Sequence, residues 1–304
     1  HPSYLSSDWA AEFAERLGCA LVKVQHHHAH VAAVLAEHRI DPAQPVIGVS
    51  FDGTGYGTDG AIWGGEFLLA SCRSFSRLAH LKYVPMPGAD AAARNPWRMA
   101  LAHLKAAGIA WDERLPCVAD ASAAARTALL HQMETSLNCA PTSSVGRLFD
   151  AVAALIGVRQ ETTYEAQAAL EMESLAGDAC HAAPYAFALH DGAPLEIDAA
   201  PMLAAICQDV LQGAPRSAIV DRFHSTVAQF IVDVCRQAGA QTGISQVALS
   251  GGVFQNGALL GCTTQRLKSA GFTVLTHQAV PPNDGGLALG QAIIAAESLA
   301  APTS

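Results

Sequence analysis

The sequence predicts an α/β protein centred on a β-sheet and large enough for two lobes. Three observations carry that expectation. At 304 residues the chain has the length of about two domains of roughly 150 residues, or of one two-lobed domain. Short apolar runs ending in glycine turns alternate with longer segments of helical spacing, the pattern of a sheet covered by helices. Hydrophobic residues make up 51% of the chain and charged residues 15%, which excludes intrinsic disorder, because a disordered chain lacks the apolar surface to form a core.

Taken in order, residues 10–17 read as the end of a helix closed by Gly18, and residues 20–25 as a short strand. Residues 26–38 have helical spacing. Residues 45–51 form a compact apolar strand ending at Asp52, followed by the turn Gly53-Thr54-Gly55-Tyr56-Gly57 and a second apolar run over 61–70. Strand, glycine turn and strand together make a hairpin. Residues 85–96 are loop-like and 97–107 helical. The middle, 98–225, is alanine-rich with helical spacing, broken at 177–184 and 192–194, and 223–238 is a strong helix candidate. The last eighty residues are more regular: a strand at 246–249 running into Ser250-Gly251-Gly252, a helix at 256–270, a strand at 272–276, and the loop 281–286 opening a final helix through residue 296. An organisation with an N-terminal lobe over 1–140 and a C-terminal lobe over 141–304 follows.

Composition narrows the function. The longest apolar stretch, 145–158, is interrupted by Arg147 and Asp150, and nothing approaches the ~20 apolar residues of a membrane span. With 18 basic against 27 acidic residues and no basic cluster, the chain lacks the footprint of a nucleic-acid binder. Its eight cysteines stand far apart without a C-x-x-C pair, so reduced, mostly buried thiols in a cytoplasmic protein are expected. The opening His1-Pro2-Ser3, without methionine or signal peptide, reads as the start of a C-terminal piece of something longer.

The densest chemical signal is Gln25-His26-His27-His28-Ala29-His30. On a helix, His26 and His30 leave the same face and can share one metal; a solvent-facing run or a tag is the plainer reading, though tags sit at chain ends. Asp52 and Asp284 each stand at a glycine turn, where α/β proteins place ligand contacts, or serve as turn residues bonding their own backbone. Imidazole with carboxylate suits Zn²⁺, Fe²⁺ or Mn²⁺. The turns at 52–57, 250–256 and 285–286 lie in chain order and suggest a nucleotide held between lobes, its phosphates met by backbone N–H groups. Asp150, on an otherwise apolar helix, either pairs with Arg147 or receives ribose hydroxyls. A metalloprotease is disfavoured, because no Glu follows the first histidine as H-E-x-x-H requires.

The runs QHHHAHVAAVLAEH, VSFDGTGYGTDGAIWGGEFLL, RNPWRMALAHL, TSSVGRLFDAVAALIGV, ALSGGVFQNGALL and PPNDGGLALGQA resemble, over essentially the whole chain, the C-terminal domain of the HypF carbamoyltransferases of nickel–iron hydrogenase maturation. That domain is similar to the tRNA-threonylcarbamoyl transferase TsaD and to antibiotic O-carbamoyltransferases. The resemblance implies the actin, sugar-kinase and heat-shock-ATPase (ASKHA) fold. It implies an iron or zinc ion on His26, His30, Asp52 and Asp284. ATP or carbamoyl-adenylate is then expected with its phosphates at Gly53, Thr54, Gly55 and Gly57, its ribose on Asp150, and its adenine side on Gly251, Gly252 and Asn256. His27, beside the metal pair on another helix face, is the candidate proton handler. The implied reaction passes a carbamoyl group from carbamoyl-adenylate to the C-terminal cysteine of HypE. The YrdC-like and acylphosphatase-like domains that precede this domain in full-length HypF are not found in these 304 residues, which are expected to lack the machinery for making carbamoyl-adenylate. An O-carbamoyltransferase acting on a small hydroxylated molecule, or a nucleotide-gated interaction module without catalysis, is the alternative; the tRNA modifier is disfavoured by the charge.

Overall fold

A computed structural model of the chain describes residues 4–300, so His1-Pro2-Ser3 lies outside the described residues. The N-terminal part begins with α1 (Leu5–Leu17), closed by Gly18 in the left-handed conformation, and α2 (His26–Glu37). Strands β1 (Val46–Tyr56), β2 (Ile62–Ala70), β3 (Phe75–Leu81) and β4 (Val84–Pro87) follow. Next come α3 (Asp90–Arg94), α4 (Pro96–Ala106), α5 (Pro116–Asp120) and α6 (Ala123–Glu134). The centre of the chain holds β5 (Cys139–Thr142), α7 (Val145–Leu155), α8 (Gln167–Glu173), β6 (Ala188–His190) and β7 (Leu195–Asp198). Helices α9 (Ala200–Leu211) and α10 (Arg216–Thr242), strand β8 (Gln246–Ser250), helix α11 (Gly257–Ser269), strand β9 (Thr273–Leu275) and helix α12 (Leu287–Ala300) complete it, with 3₁₀ turns at Gly252–Gln255 and Asp284–Gly286.

One mixed nine-stranded sheet organises these elements in the order β6-β7-β3-β2-β1-β8-β9, with β5 joined to β2 and β4 to β5. The run Val46–Phe51 of β1 is buried on both faces, which explains its nearly continuous apolar sequence. Side chains alternate across it. Ile47, Val49 and Phe51 enter the larger core with α4, α7 and α10, while Val46 meets Val31, Val34 and Leu35 of α2 and Ile294 of α12 on the other face. Gly48 leaves room for α2, since a Cβ there would strike Val31. Burial of side chains of this size contributes roughly 1.5–3 kcal/mol each.

Four sequence expectations are corrected. Residues 20–25 form no strand: they pair with nothing in the sheet and lead into Gln25, whose side chain caps α2 by accepting the His27 N–H at 2.9 Å. The segment 53–57 is not a turn. β1 continues through a bulge after Phe51, with Gly55 opposite Trp63 and Tyr56 opposite Ile62, and the reversal comes at Gly57, whose N–H bonds the Ala61 carbonyl. The loop-like 85–96 contains β4 and α3; its prolines fit because β4 pairs only with the short β5. The alanine-rich middle is not purely helical, since it supplies β5, β6 and β7. The boundary after residue 140 falls inside β5, and strands from both sides of it neighbour one another in the same sheet.

Candidate active site

β1 and β8 run parallel, with Ser50 opposite Ser250. Their carboxyl ends therefore open on the same edge, the usual ligand crevice of such sheets. Asp52 leaves the end of β1 there, and β8 runs into the Gly251-Gly252 turn. Gly251 has φ +99°, and a Cβ on it would collide with the Phe51 carbonyl; only glycine lets the chain turn so close to β1. Its N–H bonds the Pro282 carbonyl at 2.9 Å, which ties the loop carrying Asp284 to the same edge. From above, the first turn of α2 brings its histidines to this point.

Four side chains converge. His26 Nε2 lies 3.1 Å from Asp52 Oδ2 and 3.4 Å from Asp284 Oδ1; His30 Nε2 lies 3.2 Å and 3.5 Å from the same atoms. The four ligand atoms fall within 4.8 Å of one another. Donors at about 2.0–2.2 Å from one ion stand roughly 3.0–3.6 Å from their neighbours, so this set fits a single divalent cation. Its two imidazoles and two carboxylates suit iron, zinc or manganese. Burial alone would depress His26, but hydrogen bonds to Asp284 and Asp52 overcome it and carry its pKa to about 9; His30 is likewise raised. Burial opposes ionisation of Asp52, yet both histidines bring its pKa well below the carboxylate range, and they hold Asp284 at about 2.

Asp52 and Asp284 also line a cavity of about 530 Å³ together with Gly53, Thr54, Arg147, Asp150, Glu165, Glu173, Gly252 and Asn256, a volume that suits a nucleotide-sized ligand. Asp150 projects into it from the apolar helix α7. Arg147 Nη1 stands 2.8 Å from Asp150 Oδ2, but the approach is misaligned and leaves that oxygen without a hydrogen bond. Burial raises the Asp150 pKa, and Arg147 only partly offsets it. Such a group is served by an incoming hydroxyl donor. Asn256 is largely committed: Oδ1 accepts the Leu259 N–H and caps α11, while Nδ2 donates to His224 Nε2 at 3.0 Å.

Gly55, Gly57 and Gly251 are not part of the cavity lining. Gly55 is pressed against the rings of His26 and His27, and Gly57 against the Trp63 indole. Both allow close packing in the extended strand, and neither lines the cavity. Gly251 shapes the turn without lining the cavity. His27 is fully buried, with both ring nitrogens unbonded and a pKa forced well below 6.5, chiefly by burial. It sits behind the cluster and outside the cavity wall.

Other contributors escaped the sequence reading. Ser144 caps α7 and bonds the carbonyls of Asp52 and Gly53, both at 2.7 Å. Gly146 allows this approach, because a Cβ there would meet the Gly53 backbone. The Ser144–Arg147 capping spacing was a readable signal. Glu173 receives the Gly257 N–H at 2.7 Å and joins α8 to the start of α11; no local pattern announces that pairing. All eight cysteines are unpaired, five of them buried. Among the described residues no helix is long and apolar enough to cross a membrane.

Comparison with known proteins adds to this geometry. Residues 48–291 match the family "Carbamoyltransferase, Kae1-like Domain, second subdomain", and residues 1–37 match "HypF Kae1-like domain". The chain is 40% identical to a carbamoyltransferase HypF homolog of Cupriavidus necator, covering 97% of this chain and 76% of that protein. It is 38% identical to the carbamoyltransferase HypF2 of the same organism and 39% identical to HypF of Rhizobium leguminosarum, covering 97% and 96% of this chain but 39% and 36% of those longer proteins. A crystal structure of full-length HypF in the phosphate- and nucleotide-bound form superposes with a TM-score of 0.91 at 40% identity, over 99% of this chain and 46% of that one. The T. kodakarensis HypF crystal structure does so at 0.84 and 32% identity, over 98% and 40%.

Proposed function

Because this chain belongs to the family of HypF carbamoyltransferases, we propose that it transfers a carbamoyl group from carbamoyl-adenylate to the C-terminal cysteine thiolate of HypE, in the synthesis of the cyanide ligand of nickel–iron hydrogenase. The observation that carries the reading is the cavity wall. It holds five carboxylates (Asp52, Asp150, Glu165, Glu173 and Asp284) against one guanidinium, Arg147. An anionic nucleotide enters such a site only with a cation to neutralise it, and the His26, His30, Asp52 and Asp284 set meets the cavity at the right edge to hold iron or zinc. When bound, that ion supplies Lewis acidity to the phosphate or acyl oxygen.

The chain's own groups then bind and orient. Asp150 accepts the ribose hydroxyls. Gly53 and Thr54 border the phosphates, and Gly252 and Asn256 the adenine side. The nucleotide lies between the portion that supplies the metal ligands of α2 and β1, within 1–140, and the portion that supplies α7, α8 and α11, within 141–304. This is the arrangement of an ASKHA-type fold, and the mixed sheet with helices on both faces supports it. In the transfer the thiolate sulfur attacks the carbamoyl carbon, a C–S bond forms, the C–O bond to phosphate breaks, and AMP leaves with the electron pair. A thiolate needs no base, so the reading does not depend on His27. In this reading carbamoyl-adenylate is made by the YrdC-like domain expected upstream in a full-length form. Unpaired thiols support a cytoplasmic setting.

Mass spectrometry of HypE after incubation with this chain and pre-formed carbamoyl-adenylate tests the proposal. A carbamoyl mass on the terminal cysteine that depends on the chain is expected. Modification only of a small hydroxylated acceptor points to the O-carbamoyltransferase reading instead, and tight nucleotide binding with no transfer to either points to an interaction module.

A further inference from the structure

Behind the metal cluster lies a second array, running from the buried Ser250 to the partly buried His277 and Glu37, that the transfer reaction does not use. The side chains of Glu37 and His277 are each 5% exposed, and Ser250 is completely buried. Glu37, the last residue of α2, takes four donors: His277 Nδ1 at 2.7 Å, and the backbone N–H groups of Gln278, Ala279 and Val280 at 2.7, 2.8 and 3.3 Å. His277 Nε2 lies 2.8 Å from Ser250 Oγ, and Ser250 Oγ lies 3.4 Å from Nδ1 of the predicted ligand His30. We propose that Glu37, His277 and Ser250 are positioning residues for the metal site, which fix His30 with its Nε2 lone pair toward the ion and hold the loop that delivers Asp284.

The direction of the hydrogen bonds follows from Glu37. Backbone N–H groups can only donate, so this carboxylate is an acceptor at every contact, and Nδ1 of His277 must carry a hydrogen. A buried, neutral imidazole protonated at Nδ1 accepts at Nε2, so Ser250 donates its only hydrogen to His277. The Ser250 oxygen is then left to accept, and among the described residues the donor within reach is the Nδ1–H of His30, at 3.4 Å. With that hydrogen placed, the His30 lone pair is at Nε2, the atom that faces Asp52 and Asp284. One carboxylate thus sets the tautomer of a histidine three groups away. The same carboxylate clamps residues 278–280, four to six residues before Asp284, and the Gly251 N–H holds Pro282 from the other side. Hydrogen-bond partners of this kind tune affinity by orienting ligands they never replace.

The inference rests on the metal reading, and its test separates the two. Zn²⁺ affinity is measured by chelator competition on the 304-residue chain and on the variants Ser250→Ala, His277→Leu, His277→Gln and Glu37→Gln, with the thermal transition and ATP binding recorded beside it. Ser250→Ala, His277→Leu and Glu37→Gln are expected to bind Zn²⁺ about 10–100-fold more weakly. His277→Gln should recover much of the loss, since its amide can donate to Glu37 and accept from Ser250. In the Zn²⁺-loaded chain, ¹⁵N-histidine NMR is expected to show His30 protonated at Nδ1 and metallated at Nε2. Folded Ser250→Ala and Glu37→Gln proteins with undiminished Zn²⁺ affinity, or His30 metallated through Nδ1, would overturn the inference while leaving the metal site standing. A chain that binds no Zn²⁺ before substitution would overturn the metal reading and this inference with it.

Discussion

At the scale of single residues, the site is defined by polar groups whose partners are missing or borrowed. Asp150 is the clearest: a buried carboxylate facing the cavity beside a misaligned guanidinium. Asp150→Asn keeps its shape and removes the charge-assisted acceptor, so ATP affinity measured by calorimetry should fall about tenfold or more. A folded Asn variant of unchanged affinity would remove Asp150 from the nucleotide site. Glu37 makes a separate prediction in acid. Burial works against its ionisation, but hydrogen bonds from Ala279, His277, Gln278 and Val280 lower its pKa from 4.5 to about 2. A depressed carboxylate stabilises the fold above its unfolded pKa, and that stability is lost as pH falls through the folded one. The contribution, at most roughly 3 kcal/mol, is therefore present above pH 4.5 and lost towards pH 2. Denaturant melts of wild type and Glu37→Gln should converge over that window; curves that stay parallel would show that Glu37 is not the group responsible.

At the scale of elements, the metal site depends on how closely α2 can be pressed onto its neighbours. Gly290 of α12 lies against the backbone of Ala29, in the middle of the histidine run, and a Cβ would collide with the Ala29 carbonyl. Gly290→Ala should cost about 1–3 kcal/mol by overpacking and should weaken Zn²⁺ binding by shifting His26 and His30 together. Gly261→Ala is the control. It stands inside α11 with open space around the missing Cβ, so a neutral or stabilising effect of up to about 1 kcal/mol is expected. Equal melting temperatures for the wild type and Gly290→Ala would mean that the helices separate at no cost.

At the scale of the whole molecule, a helix, a strand and a loop from distant parts of the chain bring the four predicted ligands to one sheet edge. Zn²⁺ or Fe²⁺ at a hundred times its dissociation constant should stabilise the chain by about 2.7 kcal/mol, read as a rise in melting temperature that chelation reverses. In the double variant His26→Ala/His30→Ala that rise should vanish. If it persists, the ion is bound elsewhere.

The local sequence determined the helix of His26–Glu37, the hairpin strands, the final β-α-β-α run and the spacing of His26 and His30, because period, capping and glycine placement act within a few residues. It also singled out Asp52, Asp150 and Asp284 as candidates. It could not show that 53–57 stays extended, since the bulge is held by Trp63 and Ile62 across the hairpin. Nor could it show that His27 is walled in, or that Glu37 reaches His277 across 240 residues of sequence. Strand pairing, burial and long-range hydrogen bonds depend on which surfaces meet, and the meeting of β1, β8 and α2 at one sheet edge was decided only by the tertiary fold.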